Sequence, residues 1–142
     1  MGVEIERKFL VHPERLPELP APDELHQGYL SVEPVVRVRL IAKASGESQG
    51  KLTIKGSGLL SRAEYEYEIP PGDARQLLAL CSRGLRKKRY RLGRWELDHF
   101  EGRGLWLAEI ELASEAEPFD KPDWLAAEVT HDPAYSNARL AG

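Results

Sequence analysis

Residues 3–11 read VEIERKFLV, and the alternation inside this stretch governs how the rest of the chain is understood. Successive side chains of an extended strand point to opposite faces, so Glu4, Glu6 and Lys8 share one face while Val3, Ile5, Phe9 and Val11 share the other. Two carboxylates and an ammonium therefore line up along about 14 Å of strand.

The same division recurs along the chain. Segments 27–33, 35–42, 51–56 and 62–69 alternate in the same way, separated by the turn signals Glu33-Pro34, Ser45-Gly46-Glu47 and Gly56-Ser57-Gly58. Arg37 and Arg39 oppose Val36 and Val38; Lys51, Thr53 and Lys55 oppose Leu52 and Ile54; Arg62, Glu64, Glu66 and Glu68 oppose Ala63, Tyr65, Tyr67 and Ile69. Pro70-Pro71-Gly72 stops the run, and Asp73 is placed to cap a helix through Ser82. Strands resume at 84–92, 94–100 and 105–113, where Lys87, Arg89 and Arg91, then Glu96 and Asp98, then Glu109 and Glu111 fall on single faces. The proline-rich residues 12–24 are expected to form a loop with one helical turn. Trp124–Ala127 and Tyr135–Ala141 are expected to be short helical pieces. The pattern predicts one α+β domain over residues 1–142, dominated by antiparallel strands.

An open sheet with a solvated back accounts for a charged face of period two. Such faces usually mix in Ser, Thr, Asn and Gln, however, and this one is nearly all acid and base. A closed barrel is the alternative, because it turns one face of every strand into a lumen. Burying that many charges without partners costs several kcal/mol per ion. A lumen of this kind is therefore sensible only when filled with water, metal ions and an anion.

Composition narrows the function. Twenty Lys and Arg against 23 Asp and Glu give a net charge of −3, which argues against a general nucleic-acid coat. The single Cys81 excludes an internal disulfide framework and fits a reducing compartment. His12, His26, His99 and His131 are scattered without metal-ligand spacing. The charged N-terminus and the lack of a long apolar run predict a cytoplasmic protein with no membrane contact.

The stretch Glu4-Ile5-Glu6-Arg7-Lys8-Phe9-Leu10-Val11 resembles the ExExK signature of the CYTH family, the triphosphate tunnel metalloenzymes. The resemblance continues in order through Gln27-Gly28-Tyr29-Leu30, Val36-Arg37-Val38-Arg39, Leu52-Thr53-Ile54-Lys55-Gly56 and Arg62-Ala63-Glu64-Tyr65-Glu66. It extends to Lys87-Lys88-Arg89-Tyr90, Glu96-Leu97-Asp98-His99-Phe100, Ala108-Glu109-Ile110-Glu111 and the tail motifs Glu128-Val129-Thr130 and Tyr135-Ser136-Asn137. It implies a closed, eight-stranded antiparallel β-barrel with a few short covering helices, around a tunnel that binds triphosphate and divalent metal.

On that reading, Lys8, Arg37, Arg39, Lys55, Arg62, Lys87 and Arg89 are expected to surround the phosphates, guanidinium forks gripping oxygens and lysines acting as point charges. Glu4, Glu6, Glu109, Glu111 and Asp98 are expected as hard oxygen ligands for Mg²⁺ or Mn²⁺, one or two ions per site. Glu64 and Glu66 are expected to position the attacking water, Lys8 to act as cationic partner of the transferring or leaving phosphate, and Tyr29 to orient it. The implied activity is hydrolysis of inorganic tripolyphosphate to pyrophosphate and phosphate. Thiamine triphosphatase or class IV adenylate cyclase-type activity is the alternative, with a non-enzymatic polyphosphate-binding module behind both. Outward apolar residues with too little helix to cover them predict a homodimer.

Overall fold

The computed structural model describes residues 2–142. Among them lie nine strands: β1 (Val3–Val11), β2 (Asp23–Val32), β3 (Val35–Ala42), β4 (Ser48–Lys55), β5 (Ser61–Ile69), β6 (Arg83–Leu92), β7 (Trp95–Phe100), β8 (Leu105–Glu111) and β9 (Leu125–Glu128). Two helices, α1 (Pro71–Leu78) and α2 (Asn137–Leu140), and 3-10 turns at Pro13–Arg15 and Pro133–Tyr135 complete the elements.

The strand order β5-β4-β3-β2-β6-β7-β8-β1, with β5 returning to β1, closes an antiparallel barrel of eight strands. Closure depends on β1. One of its edges pairs with β8 over Glu6–Leu10, and the other pairs first with β5 at Val3–Ile5 and then with β9 at Phe9 and Val11. Tilted strands of a closed barrel are staggered along the axis, so the end of β1 runs past β5 and leaves an edge that β9 covers.

The largest apolar core lies outside this barrel. Phe9, Trp95, Leu97, Ala108 and Ile110 point outward from β1, β7 and β8, and Leu16, Leu19, Phe119 and Trp124 pack over them from the flanking loops. The rings of Phe9, Trp95, Phe119 and Trp124 meet edge to face, the arrangement aromatic quadrupoles favour. Helix α1 covers a second sector through the fully buried Ala74. The helix and the residues flanking it approach so closely that a Cβ on Gly28 would stand 2.8 Å from the Cys81 Cβ and 3.1 Å from Leu78, and one on Gly50 would stand 2.8 Å from the Ile69 carbonyl oxygen and 3.0 Å from Ala74. Glycine is required at both positions by space alone. A smaller cluster of Phe100, Leu107 and Leu140, with Leu10 and Leu85 beside it, joins lumen-facing positions to α2 and closes part of one barrel end.

Three elements differ from the sequence pattern. Of residues 124–127, expected as a helical piece, 125–127 belong to β9, because the free edge of β1 supplies backbone partners that no local signal announces. Strand β2 begins at Asp23, inside the expected loop, since Asp23–Leu25 pair with Lys87–Arg89 of β6. Helix α1 starts at Pro71 with Pro70 as its N-cap and ends at Leu78. Proline fits the first helical position because its missing N–H has no partner there in any case, so Asp73 lies in the first turn and not at the cap. Among the described residues no helix is long and apolar enough to cross a membrane.

Candidate active site

The period-two faces converge as their charge suggested. The barrel encloses a cavity of about 660 Å³ whose walls carry Glu4, Glu6 and Lys8 of β1, Tyr29 of β2, and Arg37 and Arg39 of β3. Lys55 of β4, Arg62, Glu64 and Glu66 of β5, Arg89 of β6, and Glu109 and Glu111 of β8 line the same space.

Two expected site residues are placed differently. Lys87 and Asp98 face inward by parity but sit behind the cavity wall, each only 1% exposed. Asp98 accepts a fork of hydrogen bonds from Arg89, Nε and Nη2 at 2.8 and 2.9 Å, and an ion pair from Lys87 Nζ at 2.6 Å. Lys87 also donates to the Asn137 side chain at 2.7 Å and lies 5.2 Å from the centre of the Phe100 ring. Burial pushes the Asp98 carboxyl up, but Arg89 and Lys87 override it and hold it far below the usual range. Its oxygens are committed to cations, so in this arrangement Asp98 anchors Arg89 and Lys87. Lys87, in turn, is not among the residues that line the cavity.

The remaining carboxylates divide into neutralised and bare. Glu4 holds Lys55 Nζ at 3.0 and 3.1 Å and Arg62 Nε at 3.4 Å, and Lys55 first among these cations lowers it against its burial. Glu109 lies 3.4 Å from Lys8 and 3.5 Å from Arg89. Burial raises its carboxyl, but Lys8, Lys87 and Arg89 together hold it at about 2. Glu66 accepts from Lys51 at 3.3 Å and from Thr53 at 3.1 Å.

Glu6 and Glu111 are directly opposite across β1 and β8 and line the cavity, yet among the described residues neither carboxylate has an ion-pair partner. Burial first, then Glu109 and Glu4, push Glu6 well above the ordinary range. Burial, Glu4 and Glu64 raise Glu111, and burial and Glu4 raise Glu64 despite Lys55 at 3.6 Å.

That donor set suits a hard divalent cation. Among the described residues no three carboxylate, imidazole or thiol groups converge as a ready-made cage. Mg²⁺ in phosphate chemistry typically takes only one or two carboxylates and completes its shell with phosphate oxygens and water. Glu6 and Glu111 would hold it, with Glu64 nearest in character. Such an ion supplies charge neutralisation and polarises phosphate or water oxygen.

Lys8 donates to the Tyr135 carbonyl at 2.9 Å, so the C-terminal tail fixes the ammonium that Glu109 keeps company. Sequence pattern alone missed this contact, and although it set Thr53 on the charged face it gave neither Gln27 nor Thr53 a role in the site. Both are fully buried. Gln27 accepts from Arg39 Nε at 2.9 Å and donates to the Tyr29 hydroxyl at 3.0 Å; Thr53 accepts from Arg37 at 3.1 Å. Parity with Tyr29 and with Lys55 was the available signal for these two.

A sequence profile of the CYTH domain matches residues 2–139. The chain is 42% identical over 151 residues to the inorganic triphosphatase of Acetivibrio thermocellus, covering 99% of this chain and 94% of that protein. It is 40% identical over 149 residues to the inorganic triphosphatase of Nitrosomonas europaea, covering 97% and 96%. The solved structure of the inorganic triphosphatase NE1496 superposes with a TM-score of 0.62 at 35% identity, over 97% of this chain and 93% of that one.

Proposed function

The chain belongs to the CYTH domain family, and from that membership together with the geometry of the lumen we propose that it is a metal-dependent triphosphatase acting on inorganic tripolyphosphate. One observation carries the choice of substrate. The cavity wall carries eleven Lys and Arg residues, Lys8, Arg37, Arg39, Lys55, Arg62 and Arg89 among them, whereas the aromatic residues bordering it are Tyr29 and the outward-turned Trp95, and these are only 5% and 8% exposed. Among the described residues no open ring face is left for a base or thiazole to stack on. The curated relatives' names point the same way.

Hydrolysis of a phosphoanhydride is largely a matter of positioning and charge stabilisation. Arg37 and Arg39 reach from one wall, with Lys8 and Arg89 on another, so a linear polyanion is gripped along its length. Glu6 and Glu111 would hold Mg²⁺ or Mn²⁺, which would supply positive charge against the polyanion. Glu64, raised and half-buried, is the carboxylate suited to orienting water, with Glu66 held in place by Lys51 and Thr53 beside it. Lys8, steadied by Glu109 and the Tyr135 carbonyl, stabilises charge on the leaving group.

Purified protein with Mg²⁺ or Mn²⁺ should release phosphate and pyrophosphate from tripolyphosphate at least tenfold faster than phosphate from ATP or thiamine triphosphate, with pyrophosphate a poor substrate. Cyclic AMP as the main product of ATP, or a preference for thiamine triphosphate, would replace this reading with its alternatives. Binding of tripolyphosphate without turnover would make the chain a polyphosphate-binding module.

The outer wall supports a second element of the proposal, a homodimer. Loops shield the β1–β8–β7 sector and α1 the β3–β4 sector, but on the β1–β5 side Val3, Tyr65 and Tyr67 are 62%, 47% and 54% exposed. Tyr65 and Tyr67 follow one another on the outer face of β5 and Val3 lies on β1 opposite Ala63, an apolar strip suited to a self-complementary contact. Light scattering at micromolar concentration should give twice the 16.0 kDa chain mass, and Tyr65→Glu combined with Tyr67→Glu should return it to monomer. A wild-type monomer refutes the assembly.

A further inference from the structure

The cations of the lumen are anchored in two different ways. Lys55 and Arg62 are held by Glu4, Lys8 by Glu109, and Arg89 by Asp98, so each carries its counter-charge with it. Among the buried cations of the lumen, Arg39 is the exception. Among the described residues it has no carboxylate partner; its Nε donates instead to the neutral amide oxygen of Gln27 at 2.9 Å, and it is only 6% exposed. The amide nitrogen of Gln27 is in turn committed to the Tyr29 hydroxyl at 3.0 Å, which fixes which end of the amide faces the guanidinium.

From this geometry we propose that Gln27 is a positioning residue that aims Arg39 into the lumen while leaving its charge uncompensated, making Arg39 the principal anion receptor of the tunnel. A carboxylate at this position would orient the fork equally well but would cancel its field. A buried, unpaired cation is costly, and that cost is relieved when an anion arrives. The neutral anchor therefore shifts electrostatic energy from the empty protein to the anion complex. Burial, followed by Arg37 and Arg89, pulls the Arg39 guanidinium down to about 9, still charged at neutral pH and consistent with a group short of negative partners. The β2–β3 register supports the assignment, because Gln27 and Arg39 are direct cross-strand partners and the contact is built into the sheet.

The inference rests on the triphosphatase reading for its substrate but is tested separately from it, with anion binding as the first readout. Wild type and Q27E in EDTA are compared by calorimetric titration and thermal shift with sulfate, pyrophosphate and tripolyphosphate. Q27E should fold, melt at or above the wild-type temperature without anion, and bind each anion at least tenfold more weakly. Binding within twofold of wild type overturns the proposal, whether or not tripolyphosphate is hydrolysed. Phosphate release by wild type is scored independently, so loss of the substrate assignment is visible as binding without turnover. Q27M supplies the second arm and decides the matter if Q27E does not fold. It leaves Arg39 charged but unaimed, so the tripolyphosphate Kd in EDTA should rise at least threefold, though less than in Q27E, and kcat with metal should drop at least tenfold. A Kd and a kcat both within twofold of wild type in Q27M overturn the positioning role.

Discussion

Glu6→Gln is expected to lower metal-dependent turnover at least a hundredfold, about 2.7 kcal/mol in the barrier, and at the same time to raise the melting temperature in chelator. The two effects have one cause. Glu6 faces Glu111 across β1 and β8, and burial together with Glu109 and Glu4 keeps its carboxyl well above the ordinary range. Its charge is therefore a liability in the metal-free protein and an asset only against a divalent ion. Because the folded-state value lies above the unfolded one, the folded protein takes up a proton as pH falls through the raised value, and stability rises in that window. Metal-free wild type should accordingly become more stable on acidification from neutrality. Glu4, Glu109 and Asp98, whose carboxyls are lowered, should reverse that trend only at more acid pH, where they protonate. In Glu6→Gln the gain on mild acidification should shrink, and addition of Mg²⁺ or Mn²⁺ should stabilise the variant less than wild type. Thermal melts from pH 7 to pH 4 with and without metal check both signs. A destabilised variant that still responds to metal would remove Glu6 from the ion site.

Asp98→Ala should act in the opposite sense, destabilising the fold by about 3–5 kcal/mol, the usual cost of removing one partner from a buried ion pair. Its carboxylate neutralises two buried cations, Arg89 and Lys87. Burial already pulls the Lys87 ammonium down to about 7, with Asp98 the chief group opposing that pull. Without Asp98, Lys87 is expected to lose its proton near neutrality, and Arg89 to keep its charge with only Glu96 and Glu109 nearby. Urea denaturation in chelator measures this directly, since no metal is involved. If Asp98→Ala were as stable as wild type and lost only its metal response, Asp98 would return to the ligand set.

The contrast between these two acids marks how far the sequence was legible. Alternation in VEIERKFLV and its counterparts was sufficient to assign inward and outward faces, because a strand's period of two is a local property of the backbone. It placed Glu4, Glu6, Lys8, Arg37, Arg39, Lys55 and Glu109 on one cavity, where they lie. It left β9 unseen, because Leu125–Glu128 becomes a strand only through the edge that β1 offers from more than a hundred residues away. Nor could parity separate Asp98 from Glu6: both are acids on the inner face of a strand.

By itself, then, the sequence determined the eight barrel strands, the charged inner face and the apolar outer one, and with the family's motifs the barrel itself. Only the tertiary structure decided which charges cancel. Glu4 meets Lys55 and Arg62, Lys8 meets Glu109, and Arg39 meets a neutral amide, and each pairing depends on barrel closure, strand register or the reach of a side chain between strands. Coulomb energy varies with distance and local dielectric, so a shift of one strand would exchange a neutralised carboxylate for a metal ligand without altering a single residue.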